Sequence, residues 1–241
     1  MQIRSRGIVI HSLKYGETSL IVRIFTREAG LQSFLVKGVR SQKGAIRPSH
    51  LMPLNLLEME FSIRQNKQLQ TLKEIKCDPV LFELHHHPAK RSIALFVTEL
   101  LNRSLREEGK NEELFDFIDG TLQILDLQRD GLSLFPHYFS LKLTRYLGFV
   151  PDSDFEEGRC LDLLEGCYLP VAKAGPHFMN EVNSSLSNRL LKNTFDECAT
   201  WSVRPEVRRA LLEDILRYYR LHLDHFKDLQ SHDILREVLS A

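Results

Sequence analysis

Lys37-Gly38-Val39-Arg40-Ser41-Gln42-Lys43-Gly44-Ala45-Ile46-Arg47 places four cations in eleven residues, with no acid among them. Cations spaced along a loop can neutralise phosphates spaced along a nucleic-acid strand, and the counterions released make such binding favourable and salt-sensitive. The two glycines let the backbone approach a ligand closely. Arg4, Arg6, Lys14, Arg23 and Arg27 add positive charge upstream. Stacking is the other half of single-strand recognition, because every base offers a π-face to an aromatic ring. Tyr15, in a turn beside Lys14, is the ring expected at the surface, whereas Phe25 and Phe61 sit in apolar runs and read as core; Phe34 is a further candidate. The competing account is a solvated loop on an interaction scaffold that does not bind DNA.

Other chemistry-bearing residues form weaker patterns. His85-His86-His87 has imidazoles, but no Cys, Asp or Glu is patterned around it, and it reads as a junction before Pro88. Cys160 and Cys167 lie seven apart, and His177 would bring a ligand set only to three. A structural zinc site needs four, so no metal is expected. Phosphate-loop, dinucleotide-binding, zincin and nucleophile-elbow motifs are absent, which argues against the common nucleotide hydrolases and metallohydrolases. A nuclease would need clustered carboxylates for divalent metals, and the basic N-terminal part has few. Arg204, Arg208, Arg209, Arg217 and Arg220 lie on or beside one expected helix. On spacing alone they pair with Glu206, Glu213 and Asp214 along an amphipathic surface.

These residues must be carried by two kinds of element. Ile8–Ile10, Leu20–Phe25, Leu31–Val36, Leu54–Phe61 and Leu69–Ile75 are short β-branched and aromatic runs separated by turn compositions. Leu57, Met59 and Phe61 alternate with Glu58 and Glu60, the period of a half-buried strand. Five such strands suit a small closed barrel of the OB type. From Pro88 the spacing turns helical, with apolar stripes at Ile93–Leu105, Leu114–Leu125, Phe135–Leu147, Leu186–Phe195 and Val207–Tyr219. Gly148 and Pro151 stop the third stripe, and Pro205 starts the last. The expected fold is α+β: an N-terminal five-stranded OB-fold β-barrel over residues 1–80, then an all-α domain over 81–241. An irregular insertion at about 152–183 leaves room for a short hairpin.

Charge divides along the same line. The 241 residues hold 32 Lys and Arg against 32 Asp and Glu, a net charge of zero. Up to Asp78 there are 13 basic and 6 acidic residues; after it there are 19 basic and 26 acidic. A surplus of seven cations in one part is a pointer to an anionic partner for that part. At 43% hydrophobic and 27% charged the composition is that of an ordinary globular protein. No apolar run approaches the roughly 18 residues of a membrane helix, and Met1–Arg6 lacks the apolar segment of a signal peptide. Four cysteines without a Cys-x-x-Cys pair do not suggest a disulfide framework, so a cytoplasmic protein is expected.

Gly7-Ile8-Val9-Ile10, Tyr15-Gly16-Glu17-Thr18-Ser19-Leu20, Phe25-Thr26-Arg27-Glu28-Ala29-Gly30-Leu31 and Lys37-Gly38-Val39-Arg40 stand in fixed order. As a series they resemble the bacterial recombination mediator family RecO, and His87-Pro88-Ala89-Lys90 leading into Phe96–Leu101 agrees with its helical part. The resemblance implies a non-enzymatic, nucleoid-associated DNA repair and recombination protein without cofactor. Such a protein binds single- and double-stranded DNA and anneals complementary strands. It works with RecR, binds the acidic C-terminal tail of single-strand-binding protein, and so acts indirectly on RecA. The resemblance places Lys37 and Arg40 in the DNA-binding loop. Charge and position extend the expected set to Lys43, Arg47, Arg27, Arg4, Arg6, Lys14 and Tyr15. For the tail it suggests Arg209, Arg217 and Arg220. The two Cys-x-x-Cys pairs that hold zinc in some members are not present.

Overall fold

A computed structural model describes residues 2–39, 41, 45–64, 67–105, 109–231 and 235. Arg40 and Lys43 therefore lie outside the described residues. The N-terminal strands are β1 (Gln2–Tyr15), β2 (Ser19–Thr26), β3 (Gly30–Val36), β4 (Leu56–Ser62) and β5 (Thr71–Cys77). They form one antiparallel sheet in the order β3-β2-β1-β4-β5. The fourteen-residue β1 serves two neighbours: Gln2–Ile8 pairs with β4 and Gly7–Tyr15 with β2, with a register shift between Val9 and His11. The shift bends the strand across the core, as bulges do. At Gly7 the packing of β4 and β2 side chains leaves no room for a side chain, because a Cβ would stand 2.5 Å from Met59 Sδ and 2.8 Å from Ile24 Cγ2.

The inward positions of the alternating strands fill the barrel. Val9, Val22, Ile24, Phe34, Leu57 and Phe61 are fully buried, with Phe34 edge-on to Phe61 at 5.2 Å. Phe25, buried too, packs on Phe115 with centroids 5.9 Å apart. The expected closed barrel is not closed: among the described residues its edges are joined at one point. A parallel bridge joins Phe34 to Gln70, made by the Leu35 amide to Gln70 O (3.1 Å) and the Gln70 amide to Ser33 O (2.7 Å). Beyond it the edges of β3 and β5 separate. The five-stranded sheet remains of OB type.

The helices are α1 (Phe82–His86), α2 (Pro88–Ser104), α3 (Glu112–Leu127), α4 (Phe135–Leu147), α5 (Glu181–Lys192), α6 (Phe195–Ala199) and α7 (Pro205–His222). Proline opens α2 and α7, and Gly148, with φ 86°, ends α4 in the left-handed region that favours glycine. The C-terminal part is helical but not all-α. The irregular insertion holds a small antiparallel sheet of β6 (Arg159–Asp162), β7 (Tyr168–Pro170) and β8 (Phe178–Met179), in the order β7-β6-β8. Its strands are two to four residues long, too short for an alternation to show in the sequence.

Two compact units divide the chain: Met1–Ala94 with Leu101–Leu127, and Leu95–Leu100 with Gln128–Ala241. The first holds the five-stranded sheet, α1 and α3. Among the described residues no helix is long and apolar enough to cross a membrane.

Candidate nucleic-acid interface

The register of the sheet gathers several expected contact residues at one end. Lys14 pairs with Leu20 and Leu20 with Val36, so Lys14 and Lys37 lie within one step of the same row across β1, β2 and β3. Neighbouring strands are about 4.8 Å apart, which puts the two lysines on a front roughly 10 Å wide. Tyr15 is 54% exposed beside them, and Lys14, Lys37 and Arg47 are exposed without a carboxylate partner among the described residues. Tyr15 is therefore the accessible ring, while Phe25, Phe34 and Phe61 are buried. Gly38, with φ 70°, turns the chain out of β3, and Ser41 closes the turn by donating from N and Oγ to Gly38 O. At the far end of the loop Arg47 precedes a 3-10 turn, Pro48–Leu51.

Where the edges of β3 and β5 part, a cleft of about 1010 Å³ opens. Leu35, Ile46 and Leu69 give it apolar walls, and Lys37, Lys67 and Lys73 stand on its rim; none of its described lining residues is acidic. Lys67 is exposed and has no carboxylate partner among the described residues, whereas Lys73 donates to Gln2 Oε1 at 2.6 Å and lies 3.6 Å from Glu60. The connection between β4 and β5 that carries Lys67 and exposed Arg64 is held by one buried side chain. Gln70 Nε2 donates to Lys67 O (2.7 Å) and Arg64 O (3.3 Å), and its Oε1 accepts from the Arg64 amide (2.8 Å).

Arg64, Lys67 and Lys73 are absent from the contact set expected from sequence. The signal that marked residues 37–47 is present there as well: no acid occurs from Ser62 to Lys73. The cleft chemistry of lysine rims over apolar walls suits a strand whose phosphates sit outside and whose bases turn in.

The remaining expected cations of the sheet are already engaged. Arg4, largely exposed, lies 3.4 Å from Glu60. Arg6 donates to Asp119 Oδ1 at 2.6 Å. Arg27 forks onto Asp116 through Nε (2.8 Å) and Nη2 (3.0 Å), and its Nη1 lies 2.6 Å from Glu112. The Asp116 hydrogen bond is the main cause that pushes the Arg27 guanidinium above its ordinary value, and the same bond holds Asp116 low. Glu112 is held low first by its bond to Lys110, with Arg27 adding. Asp119 goes the other way. Burial pushes it up and outweighs the pull of Arg6 and Gln123, because its side chain is only 8% exposed. Arg23 donates to Asn102 Oδ1 at 2.7 Å.

In the second unit two of the three arginines of the expected tail site have partners within the chain. Arg217 Nη2 donates to Pro176 O (2.6 Å) and lies 3.2 Å from His177 Nδ1; Arg220 pairs with Asp228; Arg209 is exposed. His177 is thus an arginine neighbour, and Cys160 is buried with its thiol pointed at Leu169 O. The histidine run closes α1: His85 Nε2 lies 2.8 Å from Asn55 Oδ1, and His86 stacks on Phe82.

Residues 1–78 match the family model described as recombination protein O N terminal, and residues 85–231 the one described as recombination protein O C terminal. The DNA repair protein RecO of Phocaeicola vulgatus is 36% identical over 235 residues, covering 97% of this chain and 98% of the relative. That of Flavobacterium psychrophilum is 34% identical over 241 residues, 100% of both chains. The one from Christiangramia forsetii is 33% identical over 239 residues, 99% of both.

Proposed function

This chain belongs to the RecO family of DNA repair proteins, and on that premise we propose that it is a non-enzymatic recombination mediator whose five-stranded sheet captures DNA. The observation that carries this reading is the acid-free cleft between β3 and β5, with Lys37 and Lys67 unpaired among the described residues on its rim. Lys14, Tyr15 and Arg47 extend the surface, and Arg40 and Lys43 belong to the same loop by sequence.

In this mechanism, the lysines and arginines neutralise backbone phosphates, Tyr15 stacks on a base, and the aliphatic walls receive bases by apolar contact. Two complementary strands held with their charge partly neutralised can pair without any bond chemistry, so annealing needs no cofactor. The second unit binds protein partners: RecR, and the acidic tail of single-strand-binding protein. Acting with RecR, the protein clears the way for RecA on coated single strands, in the cytoplasm and at the nucleoid. Because Arg217 and Arg220 have intramolecular partners, Arg209 is the arginine of the three best placed to meet an acidic tail.

The test is binding of a labelled single-stranded oligonucleotide, and annealing of two complementary ones, at 0.1 M salt. The variant changes Lys37, Arg47 and Lys67 together to Ala. Each lost phosphate contact weakens single-strand binding roughly fivefold at that salt, about a hundredfold for three, and annealing slows with it. A variant that binds and anneals like the wild type would overturn the assignment of the surface. A wild type that binds no DNA at low salt would overturn the function.

A further inference from the structure

Arg6 and Arg27 are neighbours across β1 and β2, tied by the Arg27 amide donating to Arg6 O at 3.0 Å. Facing them is a column of carboxylates on α3, Glu112, Asp116 and Asp119. The spacing i, i+4, i+7 sets these on one face of the helix, about 6 and 10 Å along its axis from the first. An arginine fork grips carboxylate and phosphate with the same two-point geometry. The column therefore presents to the sheet what a nucleic-acid backbone would present: spaced anions at fork distance.

The exposure of the groups divides the column into a fixed end and an exchangeable end. Asp119 is buried and anchored, with Phe25 on Phe115 packed nearby. The Arg27 cluster is wet: the side chains of Arg27, Glu112 and Asp116 are 32%, 37% and 54% exposed. Ion pairs in contact with water are screened by salt, and a phosphate offers the Arg27 fork the same two-point partner that Asp116 does. A strand arriving at the sheet could take Arg27 from its carboxylates at small cost.

We propose that the acidic face of α3 is an internal phosphate substitute that occupies a second nucleic-acid contact, centred on Arg27, and is displaced by DNA. The proposal rests on the reading that the sheet binds DNA. The contact is held shut in the free protein and opens only when a strand already bound at the cleft extends over β1 and β2. This would make the protein release short or weakly held strands while gripping longer ones.

The test is a thermodynamic cycle on single-strand affinity. Glu112→Gln with Asp116→Asn frees Arg27 without changing side-chain size. The variant is expected to bind more tightly, with a salt slope steeper by about 0.7 for one added phosphate contact, so the gain shrinks roughly threefold between 50 and 200 mM salt. In an Arg27→Ala background the same two changes are expected to do nothing. Asp116→Asn alone, at a half-exposed position that cannot unfold the core, should show the same effect in smaller size. Glu113→Gln on the same helix controls for the loss of negative charge in general. If the freed variant gains nothing, or gains as much without Arg27, the substitute is refuted while the cleft reading stands. If the wild type binds no DNA, both fall together.

Discussion

Some residues of this protein hold the fold and others face outward with unbalanced charge, and the two classes respond differently to mutation. Gly7 belongs to the first. A methyl group there would overlap Met59 and Ile24, so Gly7→Ala should lower stability by about 1–3 kcal/mol, read as a lower urea midpoint at unchanged slope. His137 is another. It is buried, its Nε2 lies 2.7 Å from Arg208 O, and burial pulls its pKa down from 6.5 to about 4. Below pH 6.5 the unfolded chain takes up a proton that the folded imidazole refuses until about pH 4. Stability is therefore complete above pH 6.5 and falls as pH drops toward 4, by about 3 kcal/mol in all. His137→Gln, which keeps an N–H donor and cannot titrate, should flatten that part of the stability curve in denaturant titrations at pH 4.5 and pH 7. An unchanged acid slope would assign the loss to other groups.

At the scale of elements, position depends on a few buried polar side chains as much as on apolar alternation. Gln70 ties the β4–β5 connection to itself through three hydrogen bonds and meets Phe34 in the bridge that joins the sheet edges. Gln70→Ala would remove three hydrogen bonds to the backbone of Arg64 and Lys67, at about 0.5–1.5 kcal/mol each, and loosen the segment that carries Lys67. DNA affinity should fall although no charge is removed, a result that only a positional role explains. The five strands and the five long helices were legible because their apolar residues repeat at two or at three and four. The helix α1 was not, since five residues give one turn and no repeat. The edge gap between β3 and β5 was hidden too, because pairing between distant strands leaves no mark on local periodicity. The cations of residues 37–47 stood out in the sequence. Those at 64, 67 and 73 carried the same acid-free signature, but only three cations are spread over it and Lys73 lies inside an expected strand. What the sequence could not reveal was which cations are taken: the carboxylates that hold Arg6 and Arg27 lie more than 80 positions away.

Across the whole molecule, a net charge of zero conceals a basic N-terminal part and an acidic remainder. A uniform distribution would repel DNA as much as attract it, whereas this division leaves one part to attract an anionic partner. The chain's own acids also reach into the basic part, since α3 belongs to the same compact unit as the sheet. Attraction is thus concentrated at the cleft, none of whose described lining residues is acidic, and at the exposed lysines beside it. The most direct test is the slope of log affinity for single-stranded DNA against log salt, measured for the wild type and for Lys37, Arg47 and Lys67 changed together to Ala. Three lost phosphate contacts predict a slope shallower by about 2. Equal slopes for the two proteins would contradict the account, because they would mean that the cations of the cleft touch no phosphate.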